Sequence, residues 1–169
     1  AGIEIPIAVN LSARFLDHEN LPDTILERLQ NRGISPTALT LEVTETGLMA
    51  NPGKASVILQ RLADAGVRIS IDDFGTGYSS FKQLRELPIS EIKIDRLFIY
   101  DLMNGTRDRS IVRSIVELAR GFGTDVVAEG IESDAIRKQL TALKCTLGQG
   151  YFFARPMSGD SIIPWYKSK

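Results

Sequence analysis

One segment of the sequence runs from an alternating apolar pattern into two adjacent carboxylates and a turn rich in glycine. Within Arg68–Ser80, Ile69 and Ile71 alternate with polar residues as in a β-strand, and Asp72 and Asp73 stand at its end. Two neighbouring acids repel each other, so a fold that places them in a crevice usually neutralises them with a cation. The segment therefore predicts a strand that delivers two carboxylates to a cation site.

Short apolar segments that end in a polar residue recur along the whole chain. The predicted strands are Ile5–Asn10, Leu39–Val43, Val67–Asp72, Glu91–Asp95, Asp125–Glu129 and Leu147–Phe152. Most are continuous apolar runs, which is typical of strands buried on both faces of a parallel sheet. At 169 residues the chain is expected to form one domain, or most of one.

Amphipathic helices are predicted between these strands. Their expected spans are Asn20–Gly33, Asn51–Gly66, Ser79–Leu87, Arg107–Arg120, Asp134–Leu143 and Ser158–Tyr166. The alternation indicates an α/β fold with parallel strands, either a (β/α) barrel or an open sheet, with its site at the carboxyl ends of the strands. About six βα units are two short of an eight-stranded barrel. The abrupt start without a methionine favours a truncated barrel, with the first two strands missing.

The ends of the strands supply an amide, several carboxylates, a lysine and a glutamine to one mouth. In chain order these are Asn10, Glu42 with Glu45, Asp72 with Asp73, Lys93 with Asp95, Glu129 and Gln149. Oxygen ligands of this kind select hard cations such as Mg²⁺ or Mn²⁺ over zinc. The one histidine, His18, is expected in a loop, so no histidine cluster is available for zinc.

Each of these residues also has a simpler interpretation when it is taken alone. A single carboxylate at a strand end often caps a neighbouring helix, and Asn10 can be a turn residue. Glu45 and Glu132 follow their strands and can simply hold loops. Lys93 is harder to explain in this way, because it lies between two isoleucines on a strand and a buried lysine is rare unless it is paired. The combination of polar strand ends therefore favours a site.

Carboxylates gathered with a lysine suggest metal-assisted chemistry on a phosphoryl group. Two metal ions about 3.5–4 Å apart would activate a water, and a carboxylate that does not bind metal would take its proton. Lys93 would offset phosphate charge, and Arg96 would contact a second phosphate. The same residues leave open an enolase-type proton abstraction with Lys93 as the base.

The motifs together resemble those of the EAL-domain family of bacterial cyclic-di-GMP phosphodiesterases. The matching segments are Val9–Ser12, Glu42–Glu45, Asp72–Ser80, Lys93–Arg96, Val127–Glu132 and Gln149–Tyr151, followed by Arg155 and Pro156. The resemblance implies a modified (β/α)8 TIM-like barrel, here a partial EAL domain over residues 1–169. It also implies hydrolysis of cyclic-di-GMP to linear pGpG with two ions of Mg²⁺ or Mn²⁺.

The resemblance implies a role for each matching residue. These roles are metal ligation by Asn10, Glu42, Asp72 and Asp73, catalysis by Glu129 as general base and by Lys93 beside the metal-bound water, a polar substrate-binding role for Gln149, and loop stabilisation by Glu45. The residues themselves, apart from the resemblance, suggest substrate binding by Arg96 and loop stabilisation by Glu132. In the family, the residue matching Glu45 links metal binding to dimerisation.

The sequence departs from the family pattern in one important respect. The Glu-Ala-Leu motif, which supplies a metal ligand, should precede Asn10 and has no counterpart here. The chain is therefore expected to be inactive or nearly so by itself, and to pair with another copy, swap elements or leave an open crevice. An alternative is a catalytically inactive module that senses cyclic-di-GMP. Leu97 stands where the family usually has a small polar residue.

Composition limits the partners and the location of the chain. A net charge of −1 provides no electrostatic footprint for a nucleic acid polymer. The single Cys145 cannot form an intramolecular disulfide, which fits a reducing, cytoplasmic setting. No apolar run of about 18 residues is present. A longer parent protein with sensory or GGDEF domains, or with a membrane tether, is compatible with this sequence.

Overall fold

The computed structural model describes residues 5–77, 81–103, 105–145 and 147–168. These residues form one sheet with the strands β1 (Ile7–Asn10), β2 (Leu39–Thr44), β3 (Arg68–Phe74), β4 (Glu91–Ile94), β5 (Asp125–Ala128) and β6 (Leu147–Gly148). Every neighbouring pair is parallel, and the spatial order of the strands is their order in the chain. This order, with helices in the connections, is that of consecutive βα units of a barrel and confirms the predicted six-unit α/β architecture.

The helices lie between the strands and after the last one. They are α1 (Leu21–Gln30), α2 (Glu45–Ala50), α3 (Pro52–Asp64), α4 (Phe81–Arg85), α5 (Arg96–Tyr100), α6 (Thr106–Phe122), α7 (Asp134–Ala142) and α8 (Gly159–Lys167), with 3-10 turns at Ala13–Asp17 and Pro36–Ala38. The predicted start of the third helix, at Ser79 and Ser80, lies outside the described residues. The helix α6 runs past its predicted end at Arg120 and stops at Gly123, which adopts a left-handed conformation with φ of 71°.

Two short helices, α2 and α5, were not predicted. Each begins directly after a strand and is capped by the polar residue that precedes it. Thr44 accepts a hydrogen bond from the Gly47 amide, and Asp95 accepts one of 2.6 Å from the Leu97 amide. Asp95, predicted as the end of a strand, is thus a helix cap, which is the simpler interpretation of a strand-end carboxylate.

The strand β6 is shorter than the predicted Leu147–Phe152. The chain turns after Gly148 because Gly150 packs directly on the backbone of Ile131, where a Cβ atom would overlap it. The Ile131 carbonyl then accepts a hydrogen bond of 3.0 Å from the Phe152 amide. The aromatic residues of the prediction therefore lie in a turn.

Alternating residues of the strands face opposite sides of the sheet. Val43, Ile69, Ile71, Ile92 and Ile94 are fully buried in the core with apolar residues of α3 and α6. The residues between them on the same strands are polar and face the other side, which is the inside of the curved sheet. The outward face therefore holds the core, and the inward face is free to carry chemistry. Within the described residues, no helix combines the length and the apolar character that crossing a membrane requires.

The thiol of Cys145 is buried, and its Sγ lies 3.5 Å from the Leu147 carbonyl oxygen and 3.7 Å from that of Val126. Burial raises the pKa of Cys145 to about 11. We expect a thiol reagent at pH 8 to modify the folded chain at least about tenfold more slowly than the chain in denaturant. Equal rates in the two conditions would contradict this placement. Any stability that the neutral thiol contributes should be lost as the pH rises from about 9 towards 11.

Candidate metal centre

Three carboxylates from three strands converge on one ammonium group. The Nζ atom of Lys93 lies 2.6 Å from Glu129 Oε1, 3.0 Å from Glu42 Oε1 and 3.1 Å from Asp72 Oδ1. Glu42 lies near the end of β2, Asp72 on β3, Lys93 on β4, and Glu129 directly after β5. The carboxyl ends of neighbouring parallel strands meet at one mouth, so Glu42 and Glu129, more than 80 positions apart in sequence, contact the same lysine.

The cluster is largely shielded from water. Only 5% of the Lys93 side chain is exposed, against 11% for Glu42, 16% for Asp72 and 19% for Glu129. Burial alone would lower the pKa of Lys93, but the hydrogen bonds that its ammonium group donates to Glu129 and Glu42 outweigh this effect and raise that pKa. Burial raises the pKa of Glu129, against the lowering effect of Lys93. Lys93 is therefore a charged counter-ion to three acids in the metal-free chain.

A β-bulge brings both adjacent carboxylates to the mouth. Ile71 pairs with Ile92 and Phe74 with Ile94, so Asp72 and Asp73 together oppose the single residue Lys93. Asp73 has a φ of 54°, a left-handed conformation that only a few residue types adopt readily. The bulge turns the Asp73 carboxylate to the same side as that of Asp72, instead of leaving it on the opposite face.

Carboxylate oxygens of Asp72, Asp73 and Glu129 lie within 4.8 Å of one another. Burial raises the pKa of Asp73, and so do the nearby carboxylates of Asp95 and Asp72. Asp72 Oδ1 is buried and, although it lies 3.1 Å from Lys93 Nζ, has no well-aligned hydrogen-bond partner among the described residues. An incompletely satisfied acidic group at this position can accept a cation.

Asn10 lies at the edge of this cluster. It pairs in register with Glu42, so alternation places both side chains on the same face of the sheet. Asn10 is exposed, and the Leu11 amide next to it donates a 2.8 Å hydrogen bond to the Glu42 carbonyl oxygen. Asn10 is thus placed next to Glu42, but on the open side of the mouth.

Glu45 holds the glycine-rich loop after β3. It is the first residue of α2 and is only 3% exposed. Its Oε2 atom accepts hydrogen bonds of 2.9 Å from the Gly75 amide and 3.1 Å from the Gly77 amide. A Cβ atom at Gly77 would lie 2.9 Å from the Glu45 Cδ atom, so the loop backbone must approach the carboxylate closely. These bonds fix the chain immediately after Asp73.

The other predicted site residues lie farther out. Arg96 is the exposed first residue of α5, and its Cβ atom lies against Gly130, which follows Glu129 with a φ of 69°. Gln149 is exposed directly after β6, and its backbone amide donates a 2.8 Å hydrogen bond to the Ala128 carbonyl oxygen. Glu132 is exposed, with no ion pair or side-chain hydrogen bond to any residue that the structure describes.

The family model for the EAL domain matches residues 2–156 of the sequence.

The chain belongs to the EAL domain family.

Several relatives of this EAL domain are longer proteins with names that state an activity. The chain is 45% identical over 157 residues to the bifunctional diguanylate cyclase/cyclic di-GMP phosphodiesterase MucR of Pseudomonas aeruginosa, covering 93% of this chain and 23% of MucR. It is 39% identical over 164 residues to the cyclic di-GMP phosphodiesterase RocR of the same organism, covering 97% of this chain and 42% of RocR. The chain thus spans less than half the length of these two relatives.

Solved EAL structures share the fold. The chain aligns with a MucR phosphodiesterase in complex with c-di-GMP at a TM-score of 0.89 and 45% identity, over 93% of this chain and 64% of that one. The EAL domain of Mycobacterium smegmatis DcpA gives a TM-score of 0.91 at 31% identity, over 98% and 74% of the two chains. A manganese and cyclic-di-GMP complex of Klebsiella pneumoniae BlrP1 gives 0.84 at 31% identity, over 90% and 39%. These likenesses confirm that the six parallel strands are part of a TIM-like barrel.

The donor set of this EAL domain fits a hard divalent cation. Every candidate ligand is an oxygen atom, from the carboxylates of Glu42, Asp72 and Asp73 or from the amide of Asn10, and such sets favour Mg²⁺, Mn²⁺ or Ca²⁺ over softer metals. A cation bound there would compete with the ammonium group of Lys93 for Glu42 and Asp72. A divalent cation in this place would bring two positive charges to carboxylates that otherwise face the single charge of Lys93.

Two polar residues below the mouth were missed by the sequence analysis. Ser70 and Glu91 face the inside of the sheet, two positions before Asp72 and Lys93 respectively. The available signal was the alternation itself, since Glu91 and Lys93 must share a face of β4. Each residue lies within a predicted strand, before the polar residue that ends it, so the strand ends alone do not reveal it.

Proposed function

We propose that this EAL domain is a metal-dependent phosphodiesterase that hydrolyses cyclic-di-GMP to linear pGpG. The observation that carries the proposal is the convergence of Glu42, Asp72 and Glu129 on Lys93 at the carboxyl ends of the strands. MucR and RocR, which are 45% and 39% identical to the chain, are named as cyclic di-GMP phosphodiesterases. Their names favour phosphodiester hydrolysis over the enolase-type proton abstraction that the residues alone left open.

Asn10, Glu42 and Asp72 would hold one divalent cation, and Asp73 would take part in holding a second beside Asp72. Manganese in the BlrP1 complex supports Mn²⁺ as a usable ion, and Mg²⁺ is the chemically similar alternative. When bound, such cations lower the pKa of a coordinated water and stabilise the charge that develops on the phosphoryl group. Carboxylate oxygens of Asp72 and Asp73 lie within 4.8 Å of each other, which supports a second ion held between these two residues.

Glu129 would act as the general base. Its carboxylate belongs to the cluster, and its raised pKa makes it a better proton acceptor than an ordinary glutamate. Lys93 would hold the Glu129 carboxylate in place and offset negative charge on the phosphate. Arg96 and Gln149, at the rim, would bind the substrate, and both are exposed towards solvent, as a rim contact requires.

The proposal is tested by incubating cyclic-di-GMP with the chain, and with a version extended upstream, in Mn²⁺ or in EDTA. We expect pGpG from the extended protein in Mn²⁺ and none in EDTA. Calorimetry with cyclic-di-GMP in Ca²⁺ should show binding by both proteins. Binding without hydrolysis by the extended protein in Mn²⁺ would favour the alternative of a cyclic-di-GMP sensor. In the same assay, we expect the 169-residue chain alone to form little or no pGpG in Mn²⁺.

We also propose that the domain forms a homodimer through an apolar groove beside the Glu45 loop. The groove has a volume of about 680 Å³, and its apolar lining comes mainly from Phe81, Leu84, Ile111, Ile115 and Leu118. Glu45 and Gly77 also line it, so a second copy would lie against the loop that follows Asp73. We expect sedimentation to give a dimer for the chain and a monomer for Ile111→Glu. A monomeric unsubstituted chain at high micromolar concentration would contradict the proposal.

Sensory or GGDEF domains in a longer parent, the cytoplasmic location and the loop role of Glu132 stay predictions. So does the assignment of residues 157–169 to the same domain, because the match to the family model ends at residue 156.

A further inference from the structure

A buried hydrogen bond joins β3 and β4 directly below the metal centre. The hydroxyl of Ser70 donates to Glu91 Oε1 at 2.8 Å. Ser70 is fully buried, and the Glu91 side chain is 16% exposed. Because side chains alternate along a strand, this pair lies one step below the contact between Asp72 and Lys93. It is therefore the next inward-facing contact beneath the site.

The position of this bond matters because the regular ladder ends just above it. Ser70 pairs with Glu91 and Ile71 with Ile92, and the bulge at Asp72 and Asp73 then interrupts the register. A bulge leaves the extra residue unpaired, so backbone hydrogen bonds alone fix Asp72 less firmly there than in a continuous ladder. The side-chain bond joins Ser70 and Glu91, the last regular pair before the bulge whose side chains face inward.

Arg68 connects Glu91 on β4 to Asp125 on the next strand, β5. Its Nη2 atom lies 4.0 Å from Glu91 Oε2 and 2.6 Å from Asp125 Oδ2. Glu91 and Asp125 are also register partners on β4 and β5. The network thus joins the three strands that carry Asp72, Lys93 and, four residues after Asp125, Glu129.

We propose that Ser70 and Glu91 are positioning residues for the metal centre. Their hydrogen bond fixes the position of Asp72 on β3 relative to Lys93 on β4. It therefore also fixes the distances between the oxygen atoms that would bind the cation. This inference rests on the proposed function, because it assumes that Asp72 binds a divalent ion. Neither residue is among the ligands or the bases of that proposal.

The test is a calorimetric titration of Mn²⁺ into the full chain, four single variants and one double variant, each with its thermal midpoint measured. Ser70→Ala removes the donor and Glu91→Leu the acceptor, whereas Glu91→Gln keeps an acceptor oxygen but loses the charge that faces Arg68. Thr40→Val is the matched control, since Thr40 is a 6% exposed hydroxyl residue two positions before Glu42 and outside this network. No substrate is needed, so the readout is independent of catalysis.

We expect Ser70→Ala and Glu91→Leu each to weaken Mn²⁺ binding about tenfold, the lower end of losses seen when groups that orient metal ligands are removed. The Mn²⁺ affinity of Glu91→Gln should fall by less than about threefold, and that of Thr40→Val should equal the affinity of the unsubstituted chain. The double variant Ser70→Ala with Glu91→Leu should bind Mn²⁺ no more weakly than either single variant. If one variant does not fold, the other carries the comparison. A lowered thermal midpoint with unchanged Mn²⁺ affinity would overturn the proposal and leave only a structural role. No Mn²⁺ binding by either the unsubstituted chain or the version extended upstream would instead overturn the proposed function, and this inference with it.

Discussion

Replacing Lys93 by methionine is expected to lower the unfolding free energy of the metal-free chain by about 3–5 kcal/mol at pH 7, the usual cost of breaking a buried ion pair. Methionine keeps the length of the side chain but removes its charge. Glu42, Asp72 and Glu129, all within 3.1 Å of the ammonium group, would then face one another without a counter-ion. Urea unfolding of the two chains in EDTA measures the difference.

The variant should also respond differently to acid and to metal. Without Lys93, which lowers the pKa of Glu129, burial and the neighbouring carboxylates hold that pKa further above its ordinary value. Groups shifted in this direction stabilise the fold at low pH and lose that contribution as the pH rises through the folded pKa values. The difference between variant and unsubstituted chain should therefore shrink between pH 7 and pH 5. Millimolar Mn²⁺ should restore much of the stability, because a bound cation replaces the lost charge.

Lys138→Met is the matched control for the loss of a lysine. Lys138 is exposed and lies 2.8 Å from Asp134 one helical turn away on α7. An exposed ion pair of this kind contributes little to the free energy of unfolding. The stability of Lys138→Met should therefore be nearly that of the unsubstituted chain in EDTA and in Mn²⁺. Equal stability of Lys93→Met and the unsubstituted chain in EDTA would show that Lys93 is not the counter-ion of the three acids.

Much of the strand arrangement could be predicted from the sequence because parallel strands leave a strong local signal. Segments such as those around Ile69 and Ile92 are apolar and short, and the polar residue that ends each segment can be identified from the sequence alone. The unusual position of Lys93 between isoleucines even predicted that it must be paired. Which carboxylates pair with it depends on strand order, and that follows once the strands are assumed to be parallel and consecutive.

The details of the site were not predictable in the same way. The bulge at Asp72 and Asp73 is a property of the pairing between two strands, and neither strand alone specifies it. The helices α2 and α5 are five or six residues long, too short for a periodic apolar pattern to reveal them. Asp95 therefore looked like the end of a strand, although it caps a helix.

Glu45 shows how such a short helix matters for the site. Because α2 starts at Glu45, the carboxylate is turned under the loop after β3 instead of into the mouth. The loop residues Gly75 and Gly77 then find their hydrogen-bond acceptor 30 and 32 positions away in sequence. A glutamate after a strand end is common, and only the fold distinguishes this one from Glu132, which is exposed.

Glu45→Ala is expected to lower the unfolding free energy by about 2–3 kcal/mol, since hydrogen bonds to a charged group contribute about 1.5–3 kcal/mol each and water can reach part of the loop. The amides of Gly75 and Gly77 lose their acceptor, and Asp73, held with a φ of 54°, loses the support of the chain that follows it. Mn²⁺ affinity measured by calorimetry should therefore fall about tenfold or more.

Glu132→Ala separates this effect from the loss of any glutamate near the site. Glu132 has the same predicted loop role but is exposed, with no ion pair or side-chain hydrogen bond to the described part of the chain, so its removal should change stability by less than about 0.5 kcal/mol. Mn²⁺ affinity should also stay unchanged. If Glu45→Ala loses stability but binds Mn²⁺ as tightly as the unsubstituted chain, the loop supports only the fold. In that case Asp73 must be held at the mouth by the β-bulge alone, without help from the carboxylate beneath the loop.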